Sequence, residues 1–210
     1  MNDSAAAALT LAGAYVAGSI PSAYLAGRWL RGIDLRTVGS GNLGATNVYR
    51  ELGLAPALVV LVVDALKGAA PALLAPRLVG ASGNAATWWA LGCGAVAILG
   101  HARPVFLLWK GGGKGIATAA GVFLAVTPVA MLAAFVAFLA VVTATRYVSL
   151  ASLIGAAVVP VAEWLRAGRT PGFYAGIAVA VFVVYTHRTN LQRLRTGTER
   201  RIGRAGGAAS

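Results

Sequence analysis

Long apolar stretches alternate along this chain with short polar ones, and the apolar stretches carry no polar face at the helical period. Residues 54–63 and 115–145 are almost uninterrupted. A helix of a water-soluble fold would turn one side to solvent, so runs that are apolar all round belong in lipid. A span needs about 20 such residues and tolerates about 17. Spans are therefore expected over about Ala5 to Leu30, Leu52 to Leu74 (ending near Pro76), Ala85 to Leu99, Val148 to Leu165 and Gly172 to Thr186. The stretch from Ile116 to Thr145 is too long for one. Thr127-Pro128 lies near its middle, and proline disfavours helix at the preceding residue and breaks the hydrogen-bond ladder. Two short spans are expected to meet there. The pattern predicts an all-α, polytopic integral membrane protein with seven transmembrane helices. A single membrane domain over 1–210 is expected, with a frayed Gly/Ala-rich tail at 204–210.

Charge orients the spans. Cytoplasmic loops of membrane proteins carry an excess of Lys and Arg. With the N-terminus outside and the C-terminus cytoplasmic, Arg28, Arg31, Arg36 and Arg50 share one inner loop. Arg103, Lys110 and Lys114 fall in the next, and Arg146 and the arginine-rich tail also lie inside. Of the 18 basic residues, only Arg77, Arg166 and Arg169 fall outside, with Lys67 in the membrane. Treating 116–145 as one span would move the basic tail outside, against this bias.

Composition narrows the function classes. Hydrophobic residues make up 58% and charged ones 11%, against roughly 25% charged in soluble domains. The net charge of +12 is compatible with an anionic substrate or anionic lipid. Nucleic acid is not expected as a partner, because the basic residues sit in loops where topology already explains them. Cys93 is the lone cysteine, so an intramolecular disulfide or a cysteine-built zinc site is excluded. The N-terminus lacks the basic stretch of a cleaved signal peptide, and the first segment is expected to be retained.

Three polar segments interrupt the apolar text, all on the predicted cytoplasmic face. The first is Gly39-Ser40-Gly41-Asn42-Leu43-Gly44-Ala45-Thr46-Asn47, then Arg50. Its glycines can take positive φ and turn amide N–H groups toward an anion. Ser40 and Asn47 add side-chain donors, and Arg50 a bidentate clamp for phosphate or carboxylate. Taken alone, a polar turn between helices explains it as well. The second segment is His101-Ala102-Arg103-Pro104, then Lys110-Gly111-Gly112-Gly113-Lys114-Gly115-Ile116-Ala117-Thr118. A glycine turn opening a helix offers free N–H groups and the positive dipole end to a phosphate, although a basic loop facing anionic lipid would look similar. It is not a nucleotide P-loop, since Leu108 and Gly115 occupy the positions that pattern reserves for Gly and Ser or Thr. The third is His187-Arg188-Thr189-Asn190, leading through Arg193, Arg195 and Gly197 to Glu199. His187 and Asn190 would share a helix face at i, i+3, with His187 able to donate to a phosphate oxygen or move a proton near neutral pH. Within the membrane, Asp64 and Lys67 at i, i+3 are expected to pair or to face a polar cavity, since unpaired charge there is costly. Glu163 and Arg166 are expected to pair near the outer interface.

Together these segments resemble the bacterial acyl-phosphate:glycerol-3-phosphate acyltransferases, the PlsY family, over nearly the whole chain. The resemblance starts at Gly18-Ser19-Ile20-Pro21-Ser22 and takes in the first polar segment to Arg50. It continues through Asp64…Lys67-Gly68, His101…Pro104-Val105-Phe106 and the Lys/Gly loop, and closes with His187-Arg188…Asn190-Leu191…Arg193-Leu194…Gly197…Glu199. One departure is that three glycines separate Lys110 from Lys114, where the family usually has two.

The resemblance implies that the 1-hydroxyl of glycerol 3-phosphate attacks the carbonyl of a fatty acyl phosphate. Lysophosphatidic acid and phosphate would result, the first step of phospholipid synthesis, at the cytoplasmic side of the bacterial membrane. It implies that Ser40, Arg50, Lys114, His187 and Asn190 are critical for activity. Substrate binding would fall to Gly41, Asn42, Thr46, Asn47, Lys110, Gly111, Gly112, Gly113, Gly115 and Thr118. Glu199, Asp64 and Lys67 would hold structure. No acyl carrier protein, coenzyme A or cofactor is expected. Neither histidine precedes an aspartate by five residues, as in the His-x4-Asp acyltransferases. No metal is expected either, because no carboxylate or histidine cluster accompanies the motifs. A transporter would instead place its polar residues near the bilayer midplane, where this chain has Asp64 and Lys67, and a plain membrane anchor would need no phosphate-type loops.

Overall fold

The computed structural model describes residues 3–203; the tail at 204–210 lies outside them. Among the described residues every regular element is helical. The chain divides into two compact units, Met1–Pro128 and Val129–Ser210, each taken by itself below.

The first unit holds α1 (Asp3–Ser19), α2 (Ser22–Arg31), α3 (Ala45–Leu52), α4 (Leu54–Leu78), α5 (Gly83–Ala102) and α6 (Ile116–Val126). The expected first span is broken: α1 stops at Ser19 and α2 starts after Pro21. Proline has no N–H for the ladder and crowds the residue before it. The second expected span runs on to Leu78 with Pro71 and Pro76 inside it. α3 was not expected, because its polar residues read as loop. It is a short amphipathic helix that buries Asn47 and Val48.

Small residues let these helices meet closely. A Cβ on Gly121 would overlap the Ala65 carbonyl, and one on Gly68 the Thr118 carbonyl, so α4 and α6 touch backbone to backbone. Gly18 and Gly100 play the same part between α1 and α5, against Ala97 and Tyr15. Lipid offers no hydrophobic drive for helices to associate, so van der Waals contact at small residues supplies it. The outward face of α4 is the reverse: Leu58, Val59, Val62, Leu66 and Leu73 are all exposed.

The second unit holds α7 (Pro128–Thr145), α8 (Val148–Ala167), α9 (Pro171–Thr186) and α10 (Arg188–Arg195). The helix break at Thr127-Pro128 falls where the proline argument places it. Gly155 on α8 lies against α7, where a Cβ would come within 3.3 Å of the Ala134 carbonyl, and Gly176 on α9 packs on Pro160 of α8. Glu163 is buried and takes Arg166 Nη2 at 2.8 Å and Thr170 Oγ1 at 3.0 Å.

Among the described residues, five helical segments are long and apolar enough to cross a membrane: Asp3–Arg31, Leu54–Leu78, Gly83–Leu107, Pro128–Thr145 and Val148–Ala167. Ile116–Val126 and Pro171–Thr186 are apolar but shorter. At 1.5 Å per residue the 11 residues of α6 cover about 16 Å, roughly half the hydrocarbon thickness.

Candidate active site

The first polar segment folds as a loop closed by α3. Gly39 and Gly41 have φ of 62° and 68°, the left-handed turn expected of them. Buried Asn47 organises the loop. Its Oδ1 accepts the Ser40 N–H at 2.8 Å, and its Nδ2 donates to the carbonyls of Leu35 at 3.1 Å and Val38 at 3.3 Å. A Cβ on Gly39 would overlap both Asn47 Oδ1 and Glu51 Oε1, so only glycine lets the loop lie on α3. Ser40 is exposed at the turn, while Asn42, Thr46 and Arg50 are half-buried around it.

The second segment reaches the same place. After a 3-10 turn at Val105–Leu107, Leu108 and Trp109 take left-handed backbone with φ of 52° and 58°, uncommon for such side chains. The Trp109 indole N–H donates to the Tyr15 hydroxyl at 2.9 Å, and that hydroxyl donates to the Arg103 carbonyl at 2.6 Å. The loop then runs through Lys110, Gly111, Gly112, Gly113 and Lys114 to Gly115, which caps α6 with φ of 79°. Lys110 is exposed and Lys114 half-buried. Gly113 gives its N–H to the His101 carbonyl at 3.1 Å. Thr118 lies wholly buried on α6 beside Gly68, and its hydroxyl has no hydrogen-bond partner among the described residues.

Arg36 links the two loops. Its guanidinium holds Asp34 at 2.7 Å, lies 5.1 Å from the Tyr24 ring centre and donates to the Lys110 carbonyl at 3.4 Å. That hydrogen bonding from Arg36 keeps the Asp34 carboxyl below its ordinary range. A Cβ on Gly113 would also strike the Leu43 carbonyl, so the first loop abuts the second directly. Two segments about 70 residues apart thus form one donor-rich surface.

Beneath it, the intramembrane pair is larger than the sequence suggested. Lys67 Nζ lies 2.8 Å from Asp64 Oδ1, but that oxygen also accepts the Ser22 hydroxyl at 2.5 Å and stands 3.8 Å from His101 Nδ1. Ser22 and His101 carried no signal that joined them to Asp64; only the fold brings them there.

In the second unit, His187 is the joint between α9 and α10. The helix does not run straight through it, yet His187 and Asn190 are both buried. His187 Nδ1 faces the Val183 carbonyl at 2.9 Å. A carbonyl only accepts, so Nδ1 carries a hydrogen. Asn190 Nδ2 donates to Glu199 at 2.6 Å, and the same carboxylate takes Ser149 Oγ and Arg193 Nε, each at 2.8 Å. Burial opposes the charge on Glu199, but these three donors outweigh it and hold the carboxyl below its usual range. Among the described residues, no three His, Cys, Asp or Glu side chains gather as a metal site requires.

A family model described as glycerol-3-phosphate acyltransferase matches residues 8–197. The glycerol-3-phosphate acyltransferase of Synechococcus elongatus is 47% identical over 193 residues, covering 90% of this chain and 91% of that protein. That of Geobacter sulfurreducens is 45% identical over 191 residues, covering 90% and 94%. The crystal structure of PlsY (YgiH), an integral membrane glycerol 3-phosphate acyltransferase, in its glycerol 3-phosphate form matches with a TM-score of 0.85 and 39% identity, covering 94% of this chain and 96% of that one. Its lysophosphatidic acid form matches with a TM-score of 0.82 and 38% identity, covering 94% and 95%. With both loops built as the motifs require and the match extending over nearly the whole length, the chain belongs to the glycerol-3-phosphate acyltransferase family and is an acyltransferase.

Proposed function

We propose that this enzyme transfers a fatty acyl group from an acyl phosphate to the 1-hydroxyl of sn-glycerol 3-phosphate, releasing lysophosphatidic acid and inorganic phosphate. The observation that carries this reading is the meeting of two glycine-built donor loops in the first unit, linked by Arg36 to the Lys110 carbonyl. Both substrates present a phosphate, and such loops suit anions. A relative has been solved in glycerol 3-phosphate and lysophosphatidic acid forms.

In the reaction, the hydroxyl oxygen bonds to the acyl carbonyl carbon. The bond from that carbon to the phosphate oxygen breaks, the phosphate keeps the electron pair, and the hydroxyl proton ends on it. An acyl phosphate is already activated, so positioning and charge stabilisation suffice. The reaction needs no covalent enzyme intermediate, acyl carrier protein, coenzyme A, cofactor or metal. Ser40, Arg50 and Lys114 stabilise the developing charge, and the hydroxyl proton passes either to His187 or directly to a substrate phosphate oxygen. Asn190 acts beside His187, held by Glu199. The first loop, with Gly41, Asn42 and Thr46, and the second, with Lys110, Gly111, Gly112, Gly113 and Gly115, bind the substrates; Asn47, expected among them, instead holds the first loop's backbone, and Thr118 is buried against Gly68.

In this reading the chain is one membrane domain of seven spans in the bacterial cytoplasmic membrane. Its N-terminus is outside, and its three polar segments and C-terminus face the cytoplasm. The charge asymmetry of the loops supports that orientation.

Purified protein in lipid bilayers, given acyl phosphate and glycerol 3-phosphate, should release phosphate and form lysophosphatidic acid, with acyl-coenzyme A inert as donor. No release from active substrates would overturn the reading.

A further inference from the structure

The cluster around Asp64 has no part in the reaction as written. It is nevertheless well buried: Asp64 is 1% exposed, Lys67 6% and His101 7%. One carboxylate oxygen accepts from Ser22 at the start of α2 and from Lys67 of α4, and it faces His101 Nδ1 at the end of α5 across 3.8 Å, beyond direct hydrogen-bond reach. Lys67 Nζ also donates at 3.0 Å to the Ile20 carbonyl, beside the break that Pro21 makes between α1 and α2. Charges in an apolar slab are expensive, and a buried ion pair can often be replaced by apolar residues of similar volume with no loss of stability. Packing alone therefore gives little reason for this pair.

Its location supplies one. A cavity of about 10 Å³ lies between the cluster and the glycine loop, lined by Ser22, Leu43, Lys67, His101 and Gly112 among others, with room for about one water. The loop is moulded on His101. Gly113 donates to the His101 carbonyl, a Cβ on Gly113 would overlap His101 Nε2, and one on Gly112 would overlap the carbonyls of His101 and Ala102. Any movement of the imidazole is therefore felt at Gly113.

We propose that Asp64, Lys67 and His101 are positioning residues for the anion-binding loop: Asp64, balanced by Lys67, fixes the His101 ring, and the ring fixes the Gly112-Gly113 backbone on which a substrate phosphate rests. The inference builds on the reaction proposed above and adds the device that shapes one of its phosphate sites. Displacing a loop by about 1 Å can cost on the order of 100-fold in rate, so the effect is large enough to measure.

The test compares His101→Ala, His101→Gln and the double variant Asp64→Asn/Lys67→Met, which removes both charges together and leaves neither uncompensated. Each is reconstituted in lipid, and KM is measured separately for glycerol 3-phosphate and for acyl phosphate. His101→Ala and the double variant should raise KM about tenfold or more for one of the two substrates, leaving the other within about twofold. The substrate affected is the one whose phosphate the loop holds. His101→Gln, which restores a polar nitrogen-bearing side chain, should recover most of the loss. Unchanged KM values for both substrates, with kcat falling only as thermal stability falls, would overturn the proposal. Where His101→Ala fails to fold, the double variant carries the same comparison. Wild-type protein that turns over neither substrate would instead overturn the reaction, a separate outcome.

Discussion

The side-chain oxygen of Asn47 accepts the backbone N–H of Ser40 at 2.8 Å, while its nitrogen reaches back to the carbonyls of Leu35 and Val38. A buried residue of α3 thereby sets the backbone of the loop that presents Ser40. Asn47→Ala should remove the acceptor of the Ser40 N–H and the donors to the Leu35 and Val38 carbonyls, costing about 1–3 kcal/mol at the buried Leu35 carbonyl and less at the two groups nearer solvent. Thermal unfolding in detergent should show a clear drop in Tm together with loss of phosphate release. A wild-type Tm would mean the loop is held by something else.

Gly39 and Gly32 separate two costs. Both have positive φ, 62° and 66°, but a Cβ on Gly32 meets open space whereas one on Gly39 runs into Asn47 and Glu51. Left-handed backbone costs a residue with a Cβ about 1–2 kcal/mol. Gly32→Ala should lose only that much stability and retain activity. Gly39→Ala should inactivate the enzyme as well, and equal activity in the two variants would refute the crowding argument.

Ser40→Ala and His187→Ala should both leave folded protein with turnover cut by about 100-fold or more, the scale of a lost charge-stabilising donor or a lost general base. Size-exclusion profiles and phosphate-release rates check the two halves of that statement. Near-normal rates in both would remove these residues from the chemistry.

Glu199 should give stability an acid limb. Its folded pKa lies below the ordinary 4.5, so its contribution is fully present above about that pH and is lost as pH falls through the lower folded value. Unfolding midpoints measured from neutral pH downward should fall across this window in wild type and stay flatter there in Glu199→Gln. Asn190→Asp, which sets a second carboxylate 2.6 Å from the first, should destabilise at neutral pH and recover in acid. Failure to recover would indicate that Asn190 matters to stability through more than its pairing with Glu199.

Part of this site could be read one residue at a time. Gly39, Gly41, Gly111 and Gly115 do take the left-handed backbone that their place in polar turns implies. Gly112 and Gly113 do not; they are glycines because the His101 carbonyl and ring leave no room for a Cβ, a reason that lies outside their own segment. The role of Asn47 was hidden similarly. An asparagine in a Gly/Ser-rich run looks like a donor for a ligand, and only the path of the preceding loop shows that both ends of its amide face backbone.

By itself, the order of residues determined that this chain dissolves in lipid as helices, that one long apolar stretch breaks at Thr127-Pro128, and that three polar, donor-rich segments interrupt the apolar text. These conclusions rest on local properties (hydropathy, the missing N–H of proline, donor-rich side chains) that need no partner elsewhere. The tertiary structure alone decided that Ser22 and His101 join Asp64 and Lys67, that Arg36 bridges two loops, and that Glu199 gathers Ser149, Asn190 and Arg193. A hydrogen bond depends on distance and direction in space, and Ser22 lies 42 residues from the carboxylate it meets; no sequence period encodes such a meeting until the helices pack.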